Sequence, residues 1–139
     1  MDLTQLPSPF YRVSLKAIIL DDQKRLLLGQ ADNGHWEVPG GGWEYPETLE
    51  QGLRRELSEE LDGQVNQIGD FQFLYKGMNP KGYMVVYLAF TVTLKNLTFK
   101  LVDELSDTRF VTKDELLELE FDADEALIKE HVDSIWPSA

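Results

Sequence analysis

Leu49, Leu53, Leu57 and Leu61 recur every fourth residue, and Glu56, Glu59 and Glu60 stand among them. No other stretch constrains the chain as tightly. Residues 48–61 read as a helix whose apolar stripe has to be buried. Each helical residue turns by about 100°, so positions 56, 59 and 60 fall within an arc of roughly 100° beside that stripe. One side of the helix docks on a sheet while the adjoining side holds three carboxylates at its edge. Pro46 and Glu47 suit the first turn or the residues before it. Asp62 and Gly63 suit the stop. Gly52 lies one turn ahead of the carboxylates, and a position without a side chain there would let the Gly40–Gly42 backbone approach.

The rest of the chain alternates strands with turns. Residues 11–20 alternate Val13, Leu15, Ala17 and Ile19 on one face, and with 25–30 they predict a hairpin across the turn 21–24. Residues 35–47 read as a short strand running into a Gly/Pro loop. Strands are expected at 67–77, at 83–94 and at 108–112, the second of them central because its apolar run is the most continuous. Residues 97–104 lead into a polar loop. Thr112 and Glu115 form a capping-box start for 112–119. Residues 122–136 predict a closing amphipathic helix. This order describes a single α/β domain over 1–139, with a mixed β-sheet and helices on both faces.

The net charge of −12 on 139 residues argues against duplex DNA, long RNA or an anionic membrane as partner. A small phosphorylated ligand is compatible, because a divalent cation supplies positive charge locally. The absence of cysteine removes disulfides, thiolate nucleophiles and Cys-based zinc sites. No basic stretch followed by an apolar run opens the sequence, and no apolar run approaches the ~20 residues that span a bilayer. The expectation is a cytoplasmic protein.

Three carboxylates on one helical side repel each other unless a cation bridges them. Oxygen donors, with only two histidines in the chain, suit a hard ion such as Mg²⁺ or Mn²⁺. Mg²⁺ characteristically bridges protein carboxylates to substrate phosphates. The residues alone therefore describe a metal site facing a glycine loop, suited to a phosphate ester or anhydride.

The segment 41–63, GGWEYPETLEQGLRRELSEELDG, resembles the signature of the Nudix hydrolase family through Gly41, Glu47, Arg55, Glu56, Leu57, Glu59 and Glu60. It departs at its end, where Asp62 stands in place of a glycine and Gly63 follows one position late. The resemblance implies an α/β/α sandwich and Mg²⁺-dependent hydrolysis of a nucleoside diphosphate linked to another moiety. Carried over, Glu56, Glu59 and Glu60 bind the divalent ions, with the Gly40 carbonyl as a further ligand. Arg55 orients the glutamates, and Glu47 supports them from behind or through water. The general base is Glu59, or an acid of a later loop, where Glu104 and Asp103 stand.

Phe10, Tyr11, Trp36, Trp43 and Tyr83 are aromatics that can stack on a base or simply pack. Trp43, inside the glycine loop, and Tyr83, at the start of a strand, are the preferred candidates. Lys81, in the loop before Tyr83, can meet a phosphate or simply stand in solvent. A binding module of the same fold would be expected to lose the glutamates, and all are kept. Prenyl diphosphate isomerisation is expected to need a cysteine, and there is none. The identity of the nucleotide and the oligomeric state stay open.

Overall fold

The computed structural model describes residues 2, 5, 9–99 and 105–137. Among these residues, seven strands form two sheets. Strands β1 (Arg12–Ile18), β4 (Gly40–Gly42), β5 (Val65–Met78) and β6 (Met84–Leu94) make a four-stranded sheet in the order β4-β1-β6-β5. It is mixed: β1 and β6 run parallel, with Arg12 opposite Val85, and the other pairs are antiparallel. Strands β2 (Leu26–Ala31), β3 (Trp36–Glu37) and β7 (Leu105–Val111) make an antiparallel sheet in the order β3-β2-β7.

Alternation along β1 sets the layers. Leu15, Ala17 and Ile19 face one core, which contains Leu53, Leu57 and Leu61 of helix α1 (Leu49–Leu61). Ser14, Lys16 and Ile18 face the other way. On that side a second core joins Ile18, Phe73, Tyr75 and Tyr87 to Leu116 of α2 (Lys113–Glu118). Ile128, from a 3₁₀ helix (Glu125–His131), and Ile135, from α3 (Val132–Ile135), complete it. Helices thus cover both sides of a mixed sheet, as the sequence predicted, and β6 lies centrally between β1 and β5. Among the described residues no helix is long and apolar enough to cross a membrane.

Four expectations need correction. The hairpin of 11–20 with 25–30 exists only at its base, where Leu20 bridges Leu26 and Leu27 N–H donates to Ile19 O at 2.9 Å. Beyond that the strands part into different sheets, because β2 is buried on both faces: Leu26 and Leu28 serve one core and Leu27 the other. The Gly40–Gly42 segment is a strand paired with β1, not a loop. Gly52 is crowded by side chains rather than by the Gly40–Gly42 backbone: a Cβ there would lie 2.9 Å from Leu15 Cδ1 and 3.1 Å from Trp43 Cδ1. The closing helix is broken into a 3₁₀ segment and one α-turn. Its first residues are turned inward, since Tyr87 donates to Asp124 and Lys16 pairs with Glu125. Polar anchors of that kind override an amphipathic repeat.

Candidate active site

Helix α1 is fixed at both ends. Thr48 Oγ1 accepts from Gln51 N–H at 3.1 Å and Gln51 Oε1 from Thr48 N–H at 2.9 Å, a reciprocal cap. At the other end Asp62 takes the left-handed conformation, φ 51°, and Gly63 N–H reaches Leu57 O at 3.1 Å. Asp62 therefore performs the turn that a glycine would make, and the helix stops on time.

The acidic side of α1 lies against β4. Arg55 forms the centre of the contact. Its Nε donates to Glu47 Oε2 at 2.6 Å and its Nη2 to Glu47 Oε1 at 2.9 Å, a bidentate pair. Nη2 also donates to Gly42 O at 2.9 Å, and Nη1 to Glu56 Oε1 at 2.7 Å and Glu59 Oε2 at 3.4 Å. Glu60 Oε1 accepts from Gly40 N–H at 2.7 Å. A Cβ on Gly41 would collide with the Glu56 carboxylate. The glycine strand thus lets backbone lie directly against the acids, the close approach that β4 needs.

Burial pushes the Glu60 carboxyl up to about 8, with Lys16 opposing and Glu37 adding to the rise. Glu56 is also raised, first by burial, against the pull of Arg55. Glu59 extends outward, with its side chain 59% exposed. Among the described residues no three His, Asp or Glu side chains are already gathered to hold an ion. The reason is visible: Glu56 is turned to Arg55 and Glu60 to the Gly40 amide. The donor set still fits a hard divalent cation, being all oxygen, partly buried and short of positive charge.

These residues border a cavity of about 720 Å³. Tyr83 and Lys81 line it. Trp43 does not; it lines a neighbouring cavity. Trp36 packs against the second core. Glu104 and Asp103 lie outside the described residues. The Gly40 contact seen here is through its amide.

Sequence reasoning missed the inner end of the cavity. Lys16, Glu37, Tyr87, Asp124 and Glu125 line it. Lys16 Nζ lies 3.0 Å from Glu125 Oε1 and donates to Val38 O at 3.0 Å. Burial alone would lower Lys16, but Glu125 and Glu37 outweigh it and hold it raised. Tyr87 donates to Asp124 Oδ2, while Asp124 Oδ1 is buried with no hydrogen-bond partner. One signal was available: Lys16 is a charge inside an apolar strand, on the face opposite Leu15 and Ala17.

With this geometry in hand, residues 10–132 match the family model of the NUDIX domain. The chain belongs to the Nudix family. It is a Nudix-type hydrolase acting on phosphoric anhydrides. Among curated relatives, the nucleoside triphosphatase NudI of Escherichia coli K12 is 30% identical over 114 residues, 72% of this Nudix chain and 81% of that relative. A MutT-like protein of Streptomyces ambofaciens is 39% identical over 69 residues, 49% of this chain but only 44% of the relative's length. The crystal structure of the MutT protein from Methanosarcina mazei Go1 superposes with a TM-score of 0.82 at 22% identity, covering 96% of this chain and 100% of that one. The NUDIX domain of Shewanella oneidensis NrtR, complexed with ADP ribose, gives 0.70 at 20% identity, covering 94% and 93%. These superpositions establish the shared fold.

Proposed function

We propose that this single domain is a cytoplasmic, Mg²⁺- or Mn²⁺-dependent nucleotide pyrophosphohydrolase that cleaves a pyrophosphate bond of a nucleoside diphosphate linked to another moiety. One observation carries the reading: Arg55 gathers Glu47, Glu56, Glu59 and Gly42 O at one point, at the mouth of the cavity. A guanidinium with so many acceptors is a scaffold for carboxylates, not a surface charge. The NudI relative is named as a nucleoside triphosphatase, which supports a nucleotide as substrate.

In this reading Glu56, Glu59 and Glu60 hold the divalent ions, with Gly40 O beside them. A bound cation supplies Lewis-acid activation of water and screening of phosphate charge. Glu59, the most exposed of the three, accepts the proton of the attacking water. An acid at 103–104 is the other candidate for that role. Arg55 fixes the carboxylates so that little reorganisation is needed on reaction. Tyr83 and Lys81 contact the substrate from the far wall.

Two measurements test this. Thermal melts with Mg²⁺ or Mn²⁺ should show stabilisation, about 2.7 kcal/mol at a hundredfold excess over Kd, that is absent in Glu56→Gln/Glu60→Gln. A panel of nucleotides with Mg²⁺, read as phosphate or pyrophosphate release, should find a substrate whose turnover falls at least roughly 10²-fold in Glu59→Gln. No cleavage across a broad panel, or an equally active variant, sinks the reading.

A further inference from the structure

The third glycine of β4 has a different neighbour from the other two. Alternation along the strand sets Gly41 and Gly42 on opposite faces. A Cβ on Gly41 would collide with the Glu56 carboxylate, and a Cβ on Gly42 with the Arg12 guanidinium. Gly42 does not take a positive φ, unlike Gly40, so what matters at Gly42 is the room left by the missing side chain. Strand β4 is the last of its sheet, with β1 on one edge only. The cavity of about 720 Å³ therefore borders both of its faces, with Glu56 on the α1 side and Arg12 and Ser14 on the other.

Among the described residues, the cationic side chains bordering that cavity are Arg12, Lys16, Arg55 and Lys81. Lys16 is bound to Glu125 and Val38 O, and Arg55 to Glu47, Glu56, Glu59 and Gly42 O. Lys81 stands in solvent. Arg12 differs from all three: it is half-buried, yet among the described residues its guanidinium makes no ion pair or hydrogen bond. Five N–H donors partly withdrawn from water without an acceptor are costly. The chain carries 25 acidic against 13 basic side chains, so internal partners are plentiful and Arg12 still has none among the described residues. Its guanidinium is left for an anion from outside, and its planar fork matches the oxygens of a phosphate.

Resting on the nucleotide reading above, we propose that Arg12 is a substrate-binding residue that takes the phosphate next to the one held at the glutamates, the phosphate chain crossing the open edge of β4 between them. The contact is with phosphate oxygens, not with base or sugar. It forms as soon as substrate binds, so it strengthens ground-state and transition-state binding alike and acts on KM rather than on kcat. The net charge of −12 gives this cation added weight, because a polyanionic substrate approaches a molecule that otherwise repels it.

Arg12 stands at the start of β1 and belongs to neither core, so its truncation leaves the fold in place. Kinetics of the best-cleaved nucleotide of the panel, in wild type, Arg12→Ala and Arg12→Lys, read the contact directly. Arg12→Ala should raise KM roughly 10- to 100-fold and change kcat by less than about threefold, as expected for loss of a charge-assisted bond. Arg12→Lys should recover part of that loss, because the charge stays and the fork goes. Inorganic triphosphate, which has neither base nor sugar, should compete with substrate at least roughly tenfold less well in Arg12→Ala than in wild type. An unmoved KM, a loss carried mainly by kcat, or equal inhibition of both proteins by inorganic triphosphate overturns the role of Arg12 and leaves the nucleotide reading standing. If no nucleotide of the panel is cleaved, the nucleotide reading itself has failed. Thermal melts with Mg²⁺ and inorganic triphosphate then decide for Arg12: stabilisation of wild type that is missing in Arg12→Ala supports its phosphate contact, and any other result overturns it.

Discussion

Arg55 and Glu47 meet in a planar fork, Nε to Oε2 at 2.6 Å and Nη2 to Oε1 at 2.9 Å. The same guanidinium then spends its remaining donors on Gly42 O, Glu56 and Glu59. No lysine can do this, having one nitrogen where five N–H groups are used. Arg55→Lys should therefore lower kcat by roughly 10²-fold, as expected when groups at the chemistry shift by about an ångström. The melting temperature should move little, because the residue lies at the edge of the site and not in a core. Steady-state kinetics beside a thermal melt of the same preparation would check this; an unchanged kcat refutes the scaffold role.

Gly40 and Gly41 are neighbours with opposite reasons for lacking a side chain. At Gly40, φ is +138° and a Cβ would run into the Leu15 carbonyl. At Gly41 the obstacle is only the end of the Glu56 side chain. Gly40→Ala should cost stability, about 1–3 kcal/mol from backbone strain alone, seen as a lower melting temperature. Gly41→Ala should keep most of its stability and lose activity, because Glu56 is pushed from its place. Equal losses of stability in both variants would contradict this division.

The sequence carried the acidic helix, the central β6 and the mixed character of the sheet, because those follow from local periodicity. It also carried the approach of the glycine segment to the acids, although through Gly41 and Glu56 rather than through Gly52. What it did not carry depends on long-range partners. The divergence of β1 and β2 into two sheets follows from Leu27 and Leu28 entering different cores, and a run of leucines does not say which core each will meet. Lys16 and Glu125 are 109 positions apart, and their pairing is invisible to any local pattern. Asp62 read as a departure from the family pattern and proved to be a working left-handed stop.

Asp21 closes the bend between β1 and β2. Its carboxylate accepts from Gln23 N–H at 2.9 Å, Arg25 N–H at 2.8 Å and Arg25 Nε at 2.8 Å. Burial pushes this carboxyl up, but the bonds from Arg25 and Gln23 outweigh it and hold it below the ordinary range. A depressed pKa means that the folded state binds its proton less readily than the unfolded chain. The stabilisation is therefore present above the unfolded pKa and is lost as pH falls through the folded value. Asp21→Asn should melt below the wild type at pH 7, and the gap should narrow as pH falls below the ordinary aspartate range of about 4. A gap independent of pH would show that shape, not charge, holds the bend.

Lys16 and Glu125 face each other at 3.0 Å, with side chains only 4% and 11% exposed. Removing one member of such a pair leaves a buried charge uncompensated, while removing both is far milder. Lys16→Met should cost about 3–5 kcal/mol, and Lys16→Met/Glu125→Gln should recover a substantial part of that loss. The pH dependence has a definite sign. Burial already raises the Glu125 carboxyl, and Lys16 is what opposes the rise. Without Lys16 the carboxyl rises further and binds a proton in the folded state at pH values where the unfolded chain has released it. The stability of Lys16→Met should then fall as pH climbs from about 4.5, and the double variant should fall less steeply, keeping only the part that the raised Glu60 carboxyl contributes. Urea unfolding of wild type, both single variants and the double variant at pH 5 and pH 8 completes the cycle. Additive losses, or a Lys16→Met stability that does not fall with rising pH, would show that the two side chains are neighbours without being coupled.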